Sequence, residues 1–135
     1  TSNTSFVQSF QNAGTSVGFI AYTSTTTTFG TSSDYRLKEN AVLISDGIER
    51  LKTLKPYRFN FTVEPDKKVD GFFAHEVTAV PEAITGTKDE VDSDNNPVYQ
   101  GIDQSKLVPL LTAALQEAIA KIEVLETKVA ALEAG

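Results

Sequence analysis

A hydroxyl and an amine stand five positions apart in the stretch SDYRLKEN at 33–40: Ser33 and Lys38. These are the groups a serine–lysine hydrolytic dyad requires, the oxygen as nucleophile and the amine, once neutral, as the general base that takes its proton. Residues five apart point to opposite faces of a strand and lie about 140° apart on a helix, so regular structure cannot join them. Either the stretch turns irregularly or the hydroxyl and the amine come from different chains. The plainer alternative is a turn or helix start in which Ser33 or Asp34 caps backbone N–H groups and Asp34 pairs with Lys38 at i,i+4. An ordinary lysine is protonated at neutral pH, so basicity requires burial away from water, helped by Arg36 if that cation faces the same pocket. A lone chain leaves Lys38 solvated; association of chains is the expected means of burying it.

Other chemistry-bearing residues are sparse. His75 is the only histidine and could replace or assist the lysine, against the plainer reading of a satisfied polar residue on a strand or helix edge. Asp92, Asp94 and Asn96 have calcium-loop spacing, but the glycine and the downstream bidentate glutamate of such a loop are missing, so a solvated loop is expected. There is no cysteine, hence no disulfide, thiolate nucleophile or cysteine-based metal site. No metal or other cofactor is expected. With 12 Lys plus Arg against 18 Asp plus Glu the net charge is −6, which does not attract nucleic acid or an anionic membrane. No run of eighteen apolar residues and no charged-then-apolar leader occurs, so neither a membrane span nor a secretion signal is expected in the chain as given. Opening in mid-pattern without methionine, it reads as a piece of a longer polypeptide.

The elements that must position the two groups differ on either side of them. Residues 1–32 contain no Lys, Arg, Asp or Glu and are rich in Thr, Ser and Gly. Alternation at Phe6, Gln8 and Phe10, the turn signal Asn12-Ala13-Gly14 and the apolar run 17–22 predict short strands, and the threonines at 25–28 suit a further strand, with a flexible linker as the alternative. An isolated hairpin is marginal in water, so the same segment of neighbouring chains is its expected partner. Beyond the junction, Val42, Ile44, Ile48, Leu51 and Leu54 predict a short helix over 45–54, capped by Ser45 or Asp46 and ended by Pro56. Tyr57, Phe59, Phe61 and Val63 line one face of an alternating strand; Glu64-Pro65-Asp66 is expected to begin a turn, and 71–77 to resume as strand or helix start.

From Asp103 or Ser105 a helix should run to the end, with Pro109 tolerated near its first turn. Val108, Leu111, Leu115, Ala118, Ile122, Leu125, Val129 and Leu132 are spaced alternately three and four, a seam sustained for over three heptads. With Ile122 and Val129 at a and Leu125 and Leu132 at d, Lys121 and Lys128 fall at g and Glu126 and Glu133 at e, facing each other with opposite charge in a parallel coiled coil. The competing arrangement packs this helix on its own domain. The expected architecture is α+β: the end of a β-rich fibre stalk at 1–32, a small mixed globular region at 33–102 and a coiled-coil helix at 103–135.

Four segments, SDYRLKEN at 33–40, LKPYRFNF at 54–61, GFFAHEV at 71–77 and YQGIDQSKLVPLL at 99–111, together resemble the C-terminal intramolecular chaperone domain of phage tail spikes and tail fibres, the self-cleaving endosialidase-type peptidase S74 family. They occur in family order; His75 stands where glutamine is frequent and Gln104 where tyrosine is frequent. The resemblance implies a homotrimer that aids folding of an upstream virion fibre used in host attachment, then detaches by scission between Ser32 and Ser33. It implies Ser33 and Lys38 as catalytic residues, with Asp34, Arg36 and His75 as possible accessories. The implied partners are two further copies and the upstream fibre of the same polypeptide, assembled in the host cytoplasm. Myelin regulatory factor-type membrane proteins carry a similar self-cleaving domain, but the uncharged Thr/Ser stalk favours a virus fibre. A permanent, non-catalytic trimeric fibre tip or receptor-binding module is the alternative.

Overall fold

The computed structural model describes residues 5–135, which form two compact units, one ending at Val42 and the other spanning Leu43–Gly135. In the first, β1 (Ser5–Asn12), β2 (Thr15–Tyr22) and β3 (Thr27–Thr31) form an antiparallel meander in that order. Asn12 pairs with Thr15, leaving a two-residue turn in which Ala13 and Gly14 both take positive φ, 48° and 78°. That is the backbone whose twist matches a hairpin. The threonine run divides: Thr25 and Thr26 belong to the β2–β3 turn, because the Thr23 hydroxyl accepts from both of their backbone N–H groups, and strand resumes only at Thr27. Local hydroxyl-to-backbone bonding here wins over β propensity.

The second unit is built around Val77, Val80, Ala83, Leu107 and Leu110, all buried, with Leu54, Phe72, Ala79, Ile84 and Ile102 packed against them. Its first helix, α1 (Gly47–Leu51), is shorter than the apolar spacing predicts. Asp46 occupies the N-cap position but its side chain makes no cap bond and pairs with Arg50 at 3.6 Å. The capping carboxylate is Glu117, which accepts from the backbone N–H of Gly47 at 2.6 Å and Ile48 at 3.1 Å. Glu117 lies on the long C-terminal helix α2 (Val108–Glu133), against which Gly47 is pressed. A Cβ at Gly47 would stand 2.5 Å from the Ala114 backbone nitrogen, so the absence of a side chain permits the approach.

A hairpin of β4 (Tyr57–Phe61) and β5 (Glu64–Gly71) follows. The expected turn at Glu64-Pro65-Asp66 is instead strand: the chain reverses at Thr62-Val63, and a bulge between Asn60 and Phe61 takes up the extra residues. Polar cross-strand contacts hold this ribbon, Arg58 on Asp70 at 2.8 Å and the Asn60 amide donating to the Pro65 carbonyl at 2.7 Å. Residues 74–76 then form a 3-10 turn, and β6 (Ile84–Thr85) pairs with β7 (Gly101–Ile102). Asp92 closes the intervening loop by accepting from the Asp94 and Asn96 backbone N–H groups, each at 2.9 Å.

Asp103 caps a 3-10 turn at Gln104–Leu107 that leads directly into α2, with Pro109 in the first turn. α2 carries two distinct apolar stripes. Leu107 leads into it, and Leu110, Ala113 and Ala114 face the unit's own core and are buried. The heptad positions Leu111, Leu115, Ile122, Leu125, Val129 and Leu132 lie exposed on another face, with Ala118 half-buried among them. The helix packs on its own domain and still leaves its seam bare. Among the described residues no helix is long and apolar enough to cross a membrane.

Candidate active site

Ser33 follows the last strand of the meander, and the residue before it is anchored to the sheet. The Ser32 backbone N–H donates to the Val17 carbonyl at 3.1 Å and its hydroxyl donates to the Ser16 carbonyl. The carbonyl side of the Ser32–Ser33 peptide bond is thus tied to β2, while the chain beyond it leaves the sheet.

Beyond Ser33 the backbone makes one turn of 3-10 helix at Tyr35–Leu37 between extended residues, Asp34 at φ −65°, ψ 136° and Lys38 at φ −126°, ψ 137°. Leu37 N–H donates to the Asp34 carbonyl and Lys38 N–H to the Tyr35 carbonyl, both at 3.1 Å. This irregular turn resolves the spacing problem: within one chain Lys38 Nζ donates to Ser33 Oγ at 2.7 Å. A neutral lysine would accept the hydroxyl proton across the same contact.

Asp34 and Arg36 form a second pair. Asp34 Oδ1 accepts from the Arg36 backbone N–H at 2.9 Å and from Nε at 2.9 Å, while Oδ2 accepts from Nη2 at 2.8 Å. The Arg36 guanidinium holds the Asp34 carboxyl below its ordinary range, the side-chain bond contributing most, and the carboxylate raises the arginine in return. The i,i+4 pairing of Asp34 with Lys38 is not what forms: the carboxylate turns to Arg36, whose planar fork matches it at two points. Arg36 therefore faces Asp34 and does not serve as a free cation beside the lysine.

Ser33 and Lys38 are solvent-exposed in the single chain, and so are the large apolar side chains nearest them in sequence: Tyr35 is 81% exposed, Leu37 59% and Val42 89%. His75 belongs to the other unit, in the 3-10 turn Ala74–Glu76, where its ring stacks on Phe73 at 6.1 Å between centroids. Next to it Glu76 accepts from Lys55 Nζ at 2.9 Å, and Phe73 packs on Tyr57 at 4.8 Å. The segments LKPYRFNF and GFFAHEV are therefore spatial partners, joined by an ion pair and an aromatic contact. Among the described residues no group of acidic, histidine or cysteine side chains is arranged to hold a metal ion. Sequence reasoning missed Glu117 as the cap of α1; its partners lie some seventy positions away, and no local pattern announces them.

Comparison with known proteins agrees with these motifs. No curated protein matches the chain. A family model does, the one described as chaperone of endosialidase, and its match covers residues 33–85, starting at Ser33 and taking in the 3-10 turn Tyr35–Leu37, α1, the β4–β5 hairpin and the His75 turn. Residues 33–85 of the chain are thus similar to the Peptidase_S74 family, the chaperone of endosialidase.

Proposed function

We propose that the chain is a self-cleaving intramolecular chaperone. It trimerises through α2, assists folding of an upstream viral tail fibre or spike, and is released by scission between Ser32 and Ser33. The observation that carries this reading is the 2.7 Å contact between Lys38 Nζ and Ser33 Oγ at the start of the family match. Neutral Lys38 takes the hydroxyl proton as Ser33 Oγ attacks the Ser32 carbonyl carbon. The C–N bond between Ser32 and Ser33 then breaks, the proton passes to the departing Ser33 nitrogen, and an ester links Ser32 to Ser33 Oγ. Water hydrolyses that ester, leaving a carboxylate on Ser32 and a free amine on Ser33. The tethering of Ser32 to β2 favours this course, because the carbonyl under attack is fixed while the nucleophile sits at the base of a turn.

The exposed dyad supports coupling of chemistry to assembly. Tyr35, Leu37 and Val42, close to the lysine in sequence, present bare apolar surface, and the α2 seam presents more. Monomeric proteins rarely leave such area uncovered. Two further copies of the same chain, associating in parallel, supply apolar surface to cover each of these areas, and burial on assembly excludes water from Lys38. In this reading the precursor belongs to a virion tail fibre assembled in the host cytoplasm, and the fragment from Ser33 onward is released.

The test is paired substitution in the full chain. Ser33→Ala and Lys38→Ala should each fold and assemble yet stay whole, since both side chains are exposed and neither packs in a core. Mixing the two variants tests the shared-chain geometry: with both groups supplied by one chain, mixed assemblies also stay whole. Cleavage by either single variant at the wild-type rate would refute the dyad; cleavage only in the mixture would mean the pair forms between chains. A permanent, non-catalytic fibre tip predicts a wild-type chain that never shortens.

A further inference from the structure

Asp34 and Lys38 stand at i and i+4 on a turn, the spacing at which a carboxylate and an ammonium ordinarily meet. Such a meeting would work against the chemistry above, because an adjacent carboxylate stabilises the protonated amine. In the structure the carboxylate is occupied elsewhere: both of its oxygens accept from Arg36, which also donates its backbone N–H. Resting on the dyad reading, we propose that Arg36 is a positioning residue for self-cleavage, chelating the Asp34 carboxylate so that it caps the 3-10 turn without pairing with the Lys38 amine.

Two functions are thereby separated on one side chain. Capping needs only an oxygen that accepts from the Arg36 N–H, and an asparagine supplies one as well as an aspartate. The negative charge needs a cation, and without Arg36 the nearest cation in sequence is Lys38 itself. The ionisable side chains of residues 1–42 are Tyr22, Asp34, Tyr35, Arg36, Lys38 and Glu39, so within this stretch the arginine and the lysine are the only cations that can compete for Asp34. The two-point guanidinium contact is the stronger geometry for a carboxylate. Lys38 is left with the Ser33 hydroxyl as its partner.

The experiment follows cleavage of the full chain by intact mass, after cell-free synthesis and transfer into buffers spanning neutral to alkaline pH. Arg36→Ala should move the midpoint of the pH–rate profile to higher pH by about one unit, the lower end of the effect of an opposite charge on an ionisable group. Below that midpoint it should cleave about tenfold more slowly than wild type. Asp34→Asn added to Arg36→Ala removes the freed charge and keeps the cap, and should return both midpoint and rate to near wild type. A merely structural role for Arg36 would not be repaired by a second substitution that restores no contact. Arg36→Ala with wild-type midpoint and rate, or a defect that Asp34→Asn leaves in place, would overturn the inference. Lys38→Ala run alongside separates the two levels: if it stays whole while Arg36→Ala behaves as wild type, this inference falls and the dyad stands. If Lys38→Ala cleaves as wild type, the dyad falls and the inference with it.

Discussion

Replacing Ile122 and Leu125 together with serine probes the proposed assembly without touching the stripe by which α2 holds its own domain. That stripe is Leu110, Ala113 and Ala114, all buried, whereas Ile122 and Leu125 are 52% and 58% exposed in the single chain. Full burial of such a side chain is worth roughly 1.5–3 kcal/mol, so closing the remaining half contributes roughly 0.8–1.5 kcal/mol each. Six such side chains in a trimer give roughly 5–9 kcal/mol of lost association, about three to six powers of ten in the dissociation constant. Sedimentation equilibrium over a range of concentrations reads this directly, with far-ultraviolet circular dichroism to show that the domain still folds. The wild type should sediment as a trimer and the double variant as a single chain, and self-cleavage of the variant should fail because nothing then excludes water from Lys38. Undiminished trimer would refute the seam assignment. Rapid cleavage by a monomeric variant would refute the coupling of chemistry to assembly.

Three further outcomes test separate parts of the structure. Gly47→Ala forces a Cβ to within 2.5 Å of the Ala114 nitrogen and 2.8 Å of the Ala113 carbonyl carbon, so α1 must lift from α2 at a cost of about 1–3 kcal/mol, read as a lower denaturation midpoint; an unchanged midpoint would contradict the close approach. Glu76 is held below the ordinary carboxyl range, first by the Lys55 hydrogen bond and then by Tyr57. Its depressed value means that the contribution is present at neutral pH and disappears as pH falls through the folded-state value, so the stability gap between wild type and Glu76→Gln should close below about pH 4. A gap that persists in acid would rule out the ion pair as its source. His75→Ala should cleave at the wild-type rate, because its ring stacks on Phe73 and the Ser33 hydroxyl already has Lys38 as its partner; loss of cleavage comparable to that in Lys38→Ala would make histidine the base.

What could be read from residue order was local and periodic. The 3.6-residue pattern marks the long helix, though Asp103 caps the 3-10 turn Gln104–Leu107 and α2 itself begins only at Val108, and the residues of the three-four spacing lie apart from the buried Leu110, Ala113 and Ala114. The Asn12-Ala13-Gly14 turn is likewise written in neighbouring residues. What escaped was decided by partners far along the chain or by competition among equals. Glu64-Pro65-Asp66 has turn composition, yet it is strand because β4 offers its edge and a bulge absorbs the excess. Asp46 is a natural cap by position, but a carboxylate arriving from α2 takes the donors first. At the candidate site the spacing of Ser33 and Lys38 showed only that regular structure would not serve. Which acid–base pair forms in SDYRLKEN depends on guanidinium geometry outcompeting an ammonium, and residue spacing alone does not reveal that preference.

The most direct test of the account is the mass of the wild-type chain after folding. Denaturing mass spectrometry, with sequencing of the amino terminus of each product, should find two fragments: one ending in a free carboxylate at Ser32, and one beginning with a free amine at Ser33. In Ser33→Ala the chain should remain whole under the same conditions. An intact wild-type chain after prolonged incubation under native conditions, or scission at any other bond, would contradict it.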